Sequence, residues 1–226
     1  MENNQKKIRA ILTGATGMVG EGVLMECLQH PDVEQVLVIN RRPCGVIHPK
    51  LTEIIHTNFF DIRYIQSQLV GYNACFFCLG VSSVGMNEED YTHMTYDLTI
   101  HVAETLVALN RDMTFCYISG ASTDSSEQGR SMWARVKGKT ENDLMKMPFK
   151  AVYAFRPALM KPTAGQKNVL KIYRNLSWLM PLFKLIFPGK VHTIRQLGLA
   201  MIKAARDGYP SRILEVKDIK EAAKTA

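Results

Sequence analysis

The sequence predicts an α/β protein: a parallel, doubly wound sheet with helices on both faces and a small, mostly helical C-terminal lobe. Three observations point there. Short apolar runs alternate with helical segments through residues 8–155, a glycine cluster joins the first run to the first helix, and the alternation stops after Pro157. The element lengths suit one domain spanning 1–226, with residues 158–226 as the lobe, because 226 residues can bury a full core.

Ile8 to Thr13 is a short apolar run ending at glycine, the pattern of a buried strand and its turn. Met18 to Gln29 carries Val19, Val23, Leu24, Cys27 and Leu28 at helical spacing and stops before His30-Pro31. Val36–Ile39 is a second strand, Leu51–His56 a third, and Ala74–Leu79 a fourth, with a short helix over Asp61–Leu69 between the last two. Glu88–Asn110 is a long helical stretch and Met113–Ser119 a fifth strand. Ser131–Met147 is helical with Ser131 as its cap, and Ala151–Phe155 is a sixth strand ending at Arg156-Pro157. In such a sheet a ligand sits at the carboxyl ends of the strands, near the point where strand order reverses.

The motif that carries chemistry is Thr13-Gly14-Ala15-Thr16-Gly17-Met18-Val19-Gly20. Gly14 permits the tight turn, Gly17 lets the backbone approach a pyrophosphate, and Gly20 lets the helix pack close to the sheet. The helix N-terminus offers unpaired N–H groups and a positive dipole end to phosphate. Three glycines at this spacing, between a strand and a helix, specify a Rossmann dinucleotide site. Cofactor choice is read after strand two, where an acidic residue would bond the ribose hydroxyls of NAD(H). Here Asn40-Arg41-Arg42 stands instead, and paired guanidinium groups suit a 2′-phosphate, so NADP(H) is expected over NAD(H). Asp61 is placed to meet the adenine amino group or to cap the helix it begins.

Composition bounds the alternatives. The chain is 46% hydrophobic and 22% charged, with mean hydropathy near zero and no apolar run long enough to cross a membrane. The net charge of +7 is scattered, with no basic helix or aromatic-interleaved stripe, so nucleic acid is not an expected partner. Five cysteines without framework spacing and a polar N-terminus without a secretory pattern predict a cytoplasmic protein with free thiols. Cys75 and Cys78 form a CxxC, but strand alternation sends them to opposite faces. The histidines show no metal-ligand pattern, and no metal is expected.

These motifs, with Cys78-Leu79-Gly80 after strand four and Lys137-Gly138-Lys139-Thr140-Glu141 in the later helix, resemble the short-chain dehydrogenase/reductase superfamily. The resemblance covers roughly residues 8–160 and is nearest the atypical branch of NAD-dependent epimerases and Tat-interacting-protein-like oxidoreductases. It implies a cofactor set of Gly14, Thr16, Gly17, Met18, Val19, Asn40, Arg41, Arg42, Asp61, Leu79, Gly80, Lys137, Arg156 and Pro157. It also implies catalysis by Ser, Tyr and Lys, the last two spaced YxxxK. Lys137 fits the Lys, but Trp133 occupies the Tyr position, one turn earlier on the same face. An indole N–H donates only and cannot relay a proton. Ser119 and Ser122 are the candidate serines, with Ser119 preferred because it ends the strand.

Three functions stay open. One is a reductase acting on a carbonyl or alcohol with another acid, drawn from Tyr91, His93 or Tyr96. The second is a cofactor-binding sensor or scaffold without turnover, and the third an epimerase or lyase using bound cofactor. The apolar stretch 169–187 suits a pocket lid or homodimer contact better than an interfacial membrane helix, since Pro181 breaks it.

Overall fold

The computed structural model describes residues 7–169, 189 and 191–226. Strands β1 (Ile8–Thr13), β2 (Val33–Asn40), β3 (Leu51–Ile55), β4 (Ala74–Phe77), β5 (Thr114–Ile118) and β6 (Ala151–Phe155) form one parallel sheet. Its order is β3-β2-β1-β4-β5-β6-β9, where β9 is the two-residue strand Ile213–Leu214. The chain winds outward from β1 through β3 and then crosses back to β4, so the switch point lies between β1 and β4. A crevice at the carboxyl ends of those two strands follows from the winding.

The central strands are apolar on both faces because helices cover both sides. In β1 and β2, Ala10, Leu12, Val36 and Val38 pack beneath helix α1 (Met18–Gln29), while Ile11, Leu37 and Ile39 face the opposite layer. That second layer holds helix α3 (Leu98–Leu109), whose Leu98, Val102, Ala103 and Leu106 are buried. The long helix expected over Glu88–Asn110 is instead α2 (Glu88–Thr92), one π turn (His93–Asp97), and α3. Asn87 caps α2 by accepting from the Asp90 N–H. The helix expected over Asp61–Leu69 is a shorter 3₁₀ turn, Arg63–Gln68. Helix α4 (Met132–Leu144) does begin at Ser131, but the Ser131 side chain makes no capping bond. Its backbone carbonyl does the work, accepting from the N–H groups of Ala134 and Arg135.

Among the described residues after Pro157, short strands accompany the helices: Leu159–Lys161 (β7) pairs in parallel with Val191–Thr193 (β8), and β9 extends the main sheet beside β6. Helix α5 (Ile194–Asp207) starts with a capping box from Thr193 and Gln196. It packs on α1 through two glycine contacts, Gly22 against Ile194 and Gly198 against Glu26. Helix α6 (Val216–Ala222) ends the fold. Glu21, in the first turn of α1, accepts the Lys167 and Asn168 N–H groups at 2.7 Å each and ties the tail to the first helix. The apolar stretch proposed as a lid lies, apart from Val169, outside the described residues. The five cysteines are free, and Cys75 and Cys78 join opposite core layers, as strand alternation requires.

Candidate functional site: a glycine cleft at the switch point

The turn after β1 is built on backbone proximity. Gly14 has a φ of +75°, and a Cβ there would lie 2.7 Å from the Cys78 carbonyl oxygen. A Cβ on Gly20 would run into the Gly14 backbone. These two glycines let β1, β4 and α1 converge. Gly17 differs: it is exposed and extended, with φ −102°, and a Cβ there would meet only the Gly14 oxygen at 3.4 Å. Its open side faces outward, and as the N-cap of α1 it brings no side-chain cap to the first-turn N–H groups. A bare helix N-terminus at a glycine-lined cleft fits a pyrophosphate.

The cleft has a volume of about 540 Å³. It is lined by Gly14, Thr16 and Gly17 of the turn, by Cys78, Leu79 and Gly80 after β4, and by Arg41 and Arg42 after β2. Both arginines are exposed and have no hydrogen bond or ion pair among the described residues. A smaller adjoining pocket shares Arg41, Leu79 and Gly80 with the cleft and adds the 57–60 segment, Val81 and Met94. Phe60 in that pocket stacks on His93 with centroids 4.3 Å apart. The bulky apolar groups of this pocket, Phe59, Phe60, Leu79, Val81, Met94 and Leu98, come from three separate segments, and no local motif announces them.

Several expected cofactor residues lie elsewhere. The Met18 and Val19 side chains do not line the cleft, and Met18 is buried; as the first residues of α1, the two offer their backbone N–H groups instead. The buried Asn40 side chain donates to Glu53 Oε1 at 3.0 Å. Asp61 lines neither cleft, but its Oδ1 accepts the backbone N–H of Arg63, the first residue of the 3₁₀ turn, at 3.3 Å. Its carboxylate is gripped by the Arg63 guanidinium at 2.7 and 2.8 Å, which holds its acid form down to about 2. Arg156 turns inward to Glu141, Glu215 and Ser125, and the Pro157 carbonyl accepts the Ala121 N–H.

The catalytic set is partly assembled. Lys137 reaches back from α4 to the end of β5 and donates to the carbonyls of Ser119 (2.5 Å) and Ile118 (3.4 Å). Burial pulls its ammonium down to about 8, against the opposing pull of Glu141. Trp133 sits one turn earlier, its ring beside Gly120, whose Cβ would stand 3.7 Å from Cζ3. Ser119 is not a free hydroxyl. It is buried, and its Oγ bonds Glu141 Oε1 and the Phe155 carbonyl. The preferred serine is therefore a strut between β5, α4 and β6. Ser122 is exposed, with φ +69° and no hydrogen bond among the described residues, a strained position of the kind that collects at functional loops.

The other candidate acids are committed. Tyr91 is buried, and burial pushes its phenol up. Tyr96 donates to Asp143 at 2.8 Å and carries Lys139 over its ring. His93 contacts Asp97 at 3.1 Å and stacks on Phe60. Among the described residues no group of three or more His, Cys, Asp or Glu could hold a metal ion, and no helix is long and apolar enough to cross a membrane.

Solved enzymes share this fold. A dTDP-glucose 4,6-dehydratase from Streptomyces venezuelae, with NAD bound, superposes at a TM-score of 0.69 with 16% identity, covering 92% of this chain and 75% of that one. A UDP-N-acetylglucosamine 4-epimerase from Methanobrevibacter ruminantium matches at 0.67 and 14%, covering 93% and 76%. The chain shares the Rossmann-type α/β fold of these enzymes. The Bordetella bronchiseptica enzyme WbmF, in complex with NAD+, matches at 0.68 and 15%, covering 98% and 78%. No family model matches the chain.

Two fungal proteins are similar in sequence. "Protein fmp52-1, mitochondrial" of Aspergillus terreus is 27% identical over 192 residues, 80% of this chain and 76% of its own. "Protein fmp52, mitochondrial" of Emericella nidulans is 27% identical over 165 residues, 70% and 67%. Both names place the relatives in mitochondria and overturn the cytoplasmic expectation, which rested on free thiols and a polar N-terminus. Neither feature distinguishes one reducing compartment from another.

Proposed function

We propose that the protein binds NADP(H) in the glycine cleft and lacks the Ser-Tyr-Lys proton relay that the family resemblance implies. The observation that carries this reading is the arginine pair: Arg41 and Arg42, unpaired among the described residues, line a cleft shared with the bare N-terminus of α1. Exposed guanidinium groups without acidic partners fit a dianionic 2′-phosphate and leave nothing to bond the hydroxyls of NAD(H) ribose. Several of the fold relatives hold NAD, so the preference rests on this chain's own arginines. Bound NADP(H) would supply or accept a hydride. Lys137 would hold ribose hydroxyls, the role the family resemblance implies for it, while Trp133 offers no proton and Ser119 no free hydroxyl. Slow turnover of generic aldehydes and ketones follows, despite firm binding. Calorimetric titration with NADPH and NADH tests the binding half, and NADPH oxidation with a panel of carbonyls tests the other.

A second reading is a working oxidoreductase. Ser122, exposed and strained, would bond the substrate oxygen, and Lys137, with its ammonium near 8, would give the proton in place of tyrosine. A reductase rate that falls as pH rises through about 8, and that Lys137→Arg abolishes, favours this reading.

A further inference from the structure

We infer that Glu53, on β3, is a positioning residue for cofactor choice: one carboxylate oxygen ties together both ends of the arginine loop. This rests on the NADP(H) reading of Arg41 and Arg42. Residues 41–43 connect the end of β2 to Cys44. At one end, the buried Asn40 donates its side-chain N–H to Glu53 Oε1 at 3.0 Å; at the other, the Cys44 backbone N–H donates to the same oxygen at 2.8 Å. The His56 N–H further fixes the loop's start by donating to the Asn40 carbonyl at 2.8 Å. The arginines themselves make no hydrogen bond among the described residues, so their direction depends on the backbone that carries them.

The sheet explains why Glu53 can do this. Val38 and Glu53 are register partners, as are Asn40 and Ile55, so Glu53 lies on the neighbouring strand two residues before the level of Asn40. Side chains two apart share a face, and Asn40 and Glu53 thus point to the α1 side, where Val36 and Val38 also pack. A half-buried acid on this face, next to a cleft meant for phosphate, is electrostatically unfavourable for the ligand. Its two hydrogen bonds to the loop supply the compensating purpose.

Charge and position predict opposite signs, which makes the inference testable. Both bonds fall on one oxygen, and an amide carbonyl can replace it. Glu53→Gln therefore keeps the clamp and removes the charge, whereas Glu53→Ala removes both. If Glu53 acts by position, Glu53→Ala weakens NADPH about tenfold and leaves NADH within about twofold, while Glu53→Gln binds NADPH at least as well as the wild type. If only its charge matters, both variants tighten NADPH. The measurement is the ratio of NADPH to NADH dissociation constants by calorimetry, with melting temperatures recorded alongside. Should Glu53→Ala fail to fold, Glu53→Asp, one methylene too short to serve both ends, carries the same expectation. A wild-type preference that survives Glu53→Ala or Glu53→Asp overturns the inference alone. Equal wild-type affinities for the two cofactors overturn the NADP(H) reading and this inference with it.

Discussion

Gly17 and Gly20 sit three residues apart in one turn, yet replacing them should do opposite things. At Gly17 the backbone is extended, and a Cβ would meet only the Gly14 oxygen at 3.4 Å, so the fold has room for valine. Losing glycine at an N-cap for an apolar residue costs about 1 kcal/mol. In a chain of this length that lowers the melting temperature by about 2–4 °C. The same side chain stands where phosphate must meet the helix N-terminus. Each charge-assisted bond to phosphate is worth about 1.5–3 kcal/mol, and losing two costs about 3–6 kcal/mol, or more than a hundredfold in Kd. Gly20→Val drives its side chain into the Gly14 backbone, which cannot rotate away as a side chain could. Overpacking of that kind costs about 3 kcal/mol or more, and the melting temperature should fall by roughly 6 °C or beyond. Differential scanning calorimetry and NADPH titration on both variants read the two effects separately. A Gly17→Val protein that binds NADPH at native affinity would refute the assignment of the cleft. A Gly20→Val protein as stable as the wild type would refute the close approach of α1 to the turn.

Further outcomes follow from the same geometry. Neutralising Arg41 and Arg42 together should cost NADPH about 1–3 kcal/mol and spare NADH, with the loss shrinking at high salt because both groups are exposed. Trp133→Tyr places a phenol one turn from Lys137, and NADPH oxidation with small aldehydes should rise by up to about 10²–10⁴-fold, the usual worth of a placed general acid. Glu141→Ala should destabilise by about 3 kcal/mol in denaturant melts, the low end for breaking a buried pair, since Glu215 still reaches Arg156. Stability should also fall on acidification. Burial, and secondarily Lys220, lowers the buried His192 from 6.5 to about 4, so the unfolded chain takes up the proton first. The native state then loses up to about 3 kcal/mol between pH 6.5 and 4, which His192→Gln should remove from the pH profile.

What the sequence made legible was local. The strand Ile8–Thr13, the glycine turn and the helix Met18–Gln29 are set by neighbours in sequence, and they appear with the expected bounds. The arginines after β2 were legible for the same reason, since their place follows from the end of one strand. The failures share a different cause. Ser119 looked free because the acid that takes its hydroxyl, Glu141, stands 22 residues away. Arg156 followed a strand end as a cofactor residue might, but Glu141 and Glu215 claim it from distant helix positions. Asp61 is the exception, since Arg63, only two residues on, takes its carboxylate through both the guanidinium and the backbone N–H. The two-residue strand Ile213–Leu214 carries too little periodicity to register, and it exists because β6 offers an open edge.

The central claim is a cleft that prefers the 2′-phosphate. Isothermal titration of the wild-type protein with NADP+ and NAD+, under the same buffer at low salt, tests it most directly. The account predicts one site per chain and tighter binding of NADP+ by about tenfold or more, as two phosphate-directed arginines require. Equal affinities, or a preference for NAD+, would contradict it.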